Sequence, residues 1–195
     1  MTAYILNFDS VCEMGDELFY RLCRNNPEIK FEYSKGKLIV MSPTGGETGK
    51  RNAEITAEFV IWNRQTRLGE VFDSSSGFKL PDGAKRSPDV SWVRKKRWES
   101  LLPEQREKFP PLAPDFVLEL MSFTDTLKTV QEKMKEYMDN GVRLGWLIDC
   151  ENRRVEISRQ GEGIEILQSP ELLSGEDVLP GFVLDMQMIW GEKNK

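Results

Sequence analysis

A chain of 195 residues, 39% hydrophobic and 30% charged, has the length and composition of a single folded domain spanning 1–195 and not of a disordered chain. Its net charge of −5 argues against indiscriminate binding of polyanions, and the absence of any histidine excludes Ser-His-Asp and Cys-His catalysis and histidine-ligated zinc or iron. Cys12, Cys23 and Cys150 form no Cys-x-x-Cys pair, and the expectation is free, buried thiols. No apolar run reaches the roughly 20 residues of a membrane span, and the amino terminus lacks a basic leader pattern. A soluble, cytoplasmic protein is expected.

In chain order, Val11, Leu18, Phe19 and Leu22 predict an amphipathic helix over 11–25, ended by Asn25, Asn26 and Pro27. Strands at 29–34 and 37–41 follow, joined at Ser34-Lys35-Gly36 in a tight hairpin. After Ser42-Pro43-Thr44-Gly45-Gly46 a long helix runs to about Arg67, with Ile55, Phe59 and Trp62 on one face and Gly69 at its end. Strands are expected at 70–73, 77–80 and 88–93, then a surface insertion with a short helix around 96–107. The run Asp115 to Met121 is nearly all apolar, the pattern of a strand covered on both faces. A second long helix over 125–140 places Leu127, Val130, Met134, Tyr137 and Met138 together. A buried strand at 143–149, a hairpin of 153–159 with 163–167, and a last edge element in Val178 to Met186 complete an α/β mixed sheet flanked by helices.

Two carboxylates stand among apolar neighbours: Asp89 opens Val90-Ser91-Trp92-Val93, and Glu119 lies inside Asp115 to Met121. A buried, unpaired carboxylate costs several kcal/mol, so each calls for a cation or strong hydrogen bonds. Lys133 is a partner at hand, because on the second long helix it lies beside Val130 and Tyr137 at the rim of the apolar stripe. Lys128, Lys135 and Glu136 read as solvated, and Gln131 is a reserve candidate. For either carboxylate alone, a structural salt bridge is the simpler explanation. The run Gly45-Gly46-Glu47-Thr48-Gly49-Lys50 has the wrong spacing for a phosphate-binding loop and lacks a hydroxyl after the lysine.

The segments Ser87 to Val93, Ala113 to Leu120, Thr129 to Asp149 and Val178 to Met186, with Met41 to Thr48, resemble the bacterial family of putative restriction endonucleases within the PD-(D/E)XK nuclease superfamily. The resemblance implies a restriction-endonuclease-like fold with an added N-terminal helix-hairpin and C-terminal β-hairpin. It assigns Asp89 to the Pro-Asp half of the signature and Glu119 to the acidic residue of the other half. Position 121 is Met where the signature has Lys, and Lys133 matches the family's migrated lysine. Glu54 matches an additional acidic residue that many members place near the metal. Phe123 stands where similar sequences usually carry proline, and Thr48 where some carry histidine.

The implied chemistry is endonucleolytic hydrolysis of nucleic acid, DNA in the first instance, with Mg²⁺ or Mn²⁺ on Asp89, Glu119 and Glu54. Hard oxygen ligands suit such an ion. Lys85, Arg86, Arg94 and Lys95, flanking Asp89 in a locally basic stretch, are the expected contacts to the nucleic-acid backbone. A homodimer would supply the two cuts a duplex needs. The competing expectation is a nuclease-like fold that only binds nucleic acid or a protein.

Overall fold

The computed structural model describes residues 4–9, 11 and 14–191. Its elements are β1 (Tyr4–Asn7), α1 (Asp16–Asn25), β2 (Lys30–Ser34), β3 (Lys37–Met41), α2 (Gly46–Thr66), β4 (Gly69–Asp73), β5 (Phe78–Lys79), β6 (Lys85–Arg86) and β7 (Val90–Arg94). After these come α3 (Lys95–Glu99), α4 (Pro103–Arg106), β8 (Phe116–Leu120), α5 (Leu127–Asp139), β9 (Leu144–Asp149), β10 (Arg154–Arg159), β11 (Glu165–Gln168), β12 (Leu172–Ser174), β13 (Val183–Asp185) and α6 (Gln187–Trp190).

The main sheet has six strands in the order β11-β10-β9-β8-β7-β4, with β8 and β9 parallel and the other pairs antiparallel. Alternation along its central strands feeds two cores. One face, with Trp92, Phe116, Leu118 and Trp146, packs on Ile55, Phe59 and Trp62 of α2 and on the C-terminal Phe182 and Leu184. The other, with Val93, Val117 and Leu147, packs on Val130, Met134 and Tyr137 of α5. This is the expected mixed sheet between helices.

A second sheet, β1-β3-β2-β6-β5, is built around the N-terminal hairpin. Its turn puts Lys35 (φ 48°) and Gly36 (φ 70°) both in the left-handed region, the geometry that a two-residue loop between twisted strands requires. One face of this sheet packs Phe31, Tyr33 and Leu38 on Phe19 of α1. The chain leaves this sheet at Arg86 and enters the main one at Val90, so Ser87-Pro88-Asp89 is the crossover.

Several boundaries differ from expectation. The helix expected over 11–25 begins at Asp16, and Cys12 lies outside the described residues. Arg67, at φ 57°, ends α2. Gly69 instead opens β4, where a side chain would collide with the Val93 carbonyl. The single helix around 96–107 is two short ones, β1 and β6 were not expected, and the tail forms a separate pair, β12 with β13. Cys23 and Cys150 are free but only partly buried. Among the described residues no helix is long and apolar enough to cross a membrane.

Candidate active site

Antiparallel pairing of β7 with β8 sets Val90 opposite Leu118, so the register carries Asp89 to the position opposite Glu119. The Leu120 amide donates to Asp89 Oδ2 at 2.8 Å. Glu119 follows Val117 by two residues, so it shares the strand face that α5 covers. There Lys133 Nζ lies 2.8 Å from Glu119 Oε1 and 2.9 Å from Oε2, and the Tyr137 hydroxyl donates to Oε1 at 2.9 Å. Asp89, Glu119 and Lys133, picked out separately in the sequence, are brought together. The loop carrying Phe123, which is 92% exposed, does not prevent the contact.

The same ammonium has a partner that sequence reasoning missed. Glu32 of β2, 2% exposed, receives Lys133 at 3.0 Å, the Arg86 guanidinium at 2.9 Å and the Ser87 amide at 2.9 Å. Arg86 also donates to Glu136 of α5 at 2.5 Å, and Glu136 accepts from Ser34. Glu136, expected to be solvated, is therefore 4% exposed and sealed between the hairpin sheet and α5. The signal available for Glu32 was the alternation Lys30-Glu32-Ser34 against Phe31-Tyr33, which marks a polar face without saying that a second layer covers it.

The two carboxylates on Lys133 have opposite character. Burial raises the Glu119 carboxyl, Lys133 lowers it, and the nearby charges of Asp89 and Glu32 raise it again, leaving it pushed up to about 7. Burial also opposes charge on Glu32, yet Lys133 and Arg86 outweigh it and hold the group at about 2. Asp89 is raised, chiefly by burial. Lys133 is raised above the ordinary lysine value although burial acts the other way, because Glu119 and Glu32 favour the ammonium. Tyr137 is raised well above the ordinary phenol by burial and by Glu119, so it stays a donor.

Asp89, Glu119 and Lys133 line one cleft of about 430 Å³, between the hairpin sheet on one side and β8, α5 and their connecting loop on the other. Among the described residues no three acidic or cysteine side chains converge in a metal-holding arrangement. The donor set nonetheless fits Mg²⁺ or Mn²⁺, which take one or two protein carboxylates and complete their shell with water and phosphate. Asn52 of α2 adds a fitting observation. Its amide donates to Asp89 Oδ1 at 3.4 Å, and among the described residues its buried Oδ1 has no hydrogen-bond partner.

Other expected positions fall elsewhere. Glu54 lies two residues beyond Asn52, about 200° around α2, and pairs with Lys50 at 3.8 Å outside the cleft lining. It is not brought to the cluster. Lys85 and Arg86, 5% and 9% exposed, are held by Asp16 and by Glu32 with Glu136, so neither is free to grip a backbone. Arg94 and Lys95 are exposed, but Arg94 lies five residues beyond Asp89 at the far end of β7, roughly 17 Å along the strand, and Lys95 follows it at the start of α3. Gln131 is occupied by Glu156.

The sequence profile of the family described as "Putative restriction endonuclease" (Uma2) matches residues 16–187. A solved structure described as a putative nuclease belonging to DUF820, from Anabaena variabilis ATCC 29413, superposes with a TM-score of 0.70 at 19% identity, over 82% of this chain and 89% of that one. No curated protein matches the sequence significantly.

Proposed function

Because the chain belongs to the Putative restriction endonuclease family, we propose that it hydrolyses phosphodiester bonds of DNA, using Asp89 and Glu119 to hold Mg²⁺ or Mn²⁺ and Lys133 to meet the scissile phosphate. The observation that carries this reading is the convergence of Asp89, Glu119 and Lys133 on one cleft, from two neighbouring strands and the helix behind them. When bound, the divalent ion polarises the phosphate and acidifies water.

The chain's own groups have separable tasks. Lys133 is too firmly protonated to take a proton from water, so its part is to hold negative charge developing on the phosphate oxygens. Tyr137 and Lys133 fix the rotamer of Glu119 by hydrogen bonding both carboxylate oxygens. Leu120 and Asn52 orient Asp89 in the same way. Glu32 would keep Lys133 in place with Glu119 engaged on an ion, since it holds the same ammonium from the hairpin sheet.

Cleavage of labelled oligonucleotides with Mg²⁺ or Mn²⁺, comparing wild type with Asp89→Ala, tests the reading. The expected loss is at least about 100-fold, and cleavage indifferent to the substitution would overturn the assignment. A second reading, a nuclease-like fold that binds nucleic acid without cutting it, draws support from the lack of a three-carboxylate metal cluster among the described residues. Asp89-independent binding with no cleavage in either metal would favour it.

A further inference from the structure

The cleft has a wall for which the chemistry above has no use. On the face of the hairpin sheet turned towards Lys133, pairing sets Ile5 beside Ile39 and Ile39 beside Glu32. An apolar row thus leads from the catalytic cluster out to the edge strand. Met41 and Lys30 form the next row on one side, and Lys37 with Ser34 the row on the other. Ile5 is 58% exposed, while Ile39 and Met41 are partly exposed. Lys37 is exposed, and the Lys35 side chain at the turn is 78% exposed. Packing on α5 accounts for Glu32 and Ser34 of this face but not for Ile5, Ile39 and Met41, and the apolar core of these strands is on the other side, where Phe31, Tyr33 and Leu38 meet α1. Apolar surface left in a cleft marks a place that a ligand covers.

The ligand must offer an apolar surface edged with negative charge. Duplex DNA does not, since its base faces are stacked inside and its exterior is sugar and phosphate, with only base edges in the grooves. An unpaired strand exposes every base face and carries a phosphate at each nucleotide. The cations agree with this. Lys85 and Arg86 are locked in buried pairs, and besides Arg86 and the catalytic Lys133 the cations bordering the cleft are Lys30, Lys35 and Lys37, enough for a short length of backbone. On the opposite wall Asp125 and Glu132 repel phosphate and turn the charged edge of a strand towards these lysines. The walls also meet at the catalytic end, where Lys133 touches Glu32 at 3.0 Å and Glu119 at 2.8 Å. The result is a cleft of about 430 Å³ that narrows at its catalytic end.

We propose that the substrate is single-stranded DNA, its bases lying on Ile5, Ile39 and Met41 and its phosphates passing Lys37 and Lys35 on the way to Asp89 and Glu119. The inference rests on the phosphodiesterase reading above and names its substrate class.

The test compares a labelled single strand of mixed sequence with the blunt duplex of the same sequence. Cleavage is followed with Mg²⁺ on the wild-type chain, and binding by fluorescence anisotropy on Asp89→Asn. The expected result is a preference for the single strand of at least about tenfold in both assays, with Ile5→Ser and Lys37→Glu each weakening its binding by about three- to tenfold. Both substituted side chains are exposed, so these variants report on the wall and not on folding. Asp89-dependent cleavage of the duplex as fast as the single strand would overturn the inference and leave the nuclease reading standing. Preferential single-strand binding without Asp89-dependent cleavage would overturn the nuclease reading alone. A dimer in light scattering that Ile5→Ser dissociates would put a second copy on this face and overturn the inference.

Discussion

Glu32 and Glu119 touch the same ammonium, but they respond differently to losing their charge. Glu32 is the group whose ionised form the fold favours, held at about 2 by Lys133 and Arg86 against the cost of burial. Glu32→Gln leaves two buried cations short of a partner and is expected to destabilise the metal-free protein by about 3 kcal/mol. Glu119 is the reverse case, pushed up to about 7 by burial and by its anionic neighbours. Its charge is compensated by Lys133 and Tyr137, so it is not the bare buried anion that the sequence suggests. A neutral amide still suits the site as well as the carboxylate does, and Glu119→Gln is expected to unfold at the same denaturant concentration as wild type or higher. Urea titrations of both variants at pH 8 with a chelator check the pair.

The same two groups shape the pH profile of the metal-free protein. Between pH 4.5, the ordinary glutamate value, and about 7 the folded chain binds more protons at Glu119 than the unfolded chain does. Stability therefore falls as pH rises through that window, by on the order of 3 kcal/mol. Glu32 acts with the opposite sign: its contribution is present above pH 4.5 and lost as pH falls towards about 2. Melting scans should show the upper limb flattened in Glu119→Gln and the lower limb flattened in Glu32→Gln. An upper limb unchanged in Glu119→Gln would mean that another group carries it. Asp89, Glu119 and Lys133 were legible because a charge inside an apolar run, or at the rim of an apolar stripe, breaks a pattern. Glu32, Arg86 and Glu136 broke none, since each sits where an amphipathic strand or helix normally shows charge to water, and only the packing of the hairpin sheet on α5 buries them.

The elements that aim these side chains depend on two close approaches. Gly69 begins β4 against β7, and a Cβ there would stand 2.2 Å from the Val93 carbonyl oxygen, a backbone atom that cannot step aside. Asn63 also bonds both the amide and the carbonyl of Gly69, which fixes the chain at that spacing. Gly69→Ala is expected to cost about 3 kcal/mol. At Gly145, under α5, the added methyl would meet Met134 Sδ at 2.5 Å, the end of a flexible side chain. Gly145→Ala should cost about 1 kcal/mol, and equal losses in chemical denaturation of the two variants would contradict this account. Long elements such as α2, β8, α5 and β9 were legible from their periodicity or unbroken apolar runs. The two-residue β6 is too short to have a period, and it exists because the hairpin sheet offers it an edge, whereas β5 falls within the strand expected at 77–80.

For the molecule as a whole, a net charge of −5 is compatible with the proposed single-strand cleft because the cations needed are few and local. Among the described residues three lysines border it outside the catalytic cluster, so single-strand affinity should fall with salt along a log–log slope of about −2. Anisotropy titrations between about 50 and 200 mM salt measure it. A slope near −7 would require a broad electrostatic footprint and contradict the burial of Lys85 and Arg86. Charge counted along the sequence could not foresee this, because Lys85 and Arg86 look like neighbours of Arg94 and Lys95 until β7 separates them.

Lys133 is clasped by one acid from each sheet, and this has a bearing on how the chain matures. A partly folded molecule with only its six-stranded layer assembled has Asp89 and Glu119 but no counter-anchor for the ammonium. On the proposed function, cutting therefore requires both sheets to be in place, and a copy lacking the hairpin layer is expected to be inert.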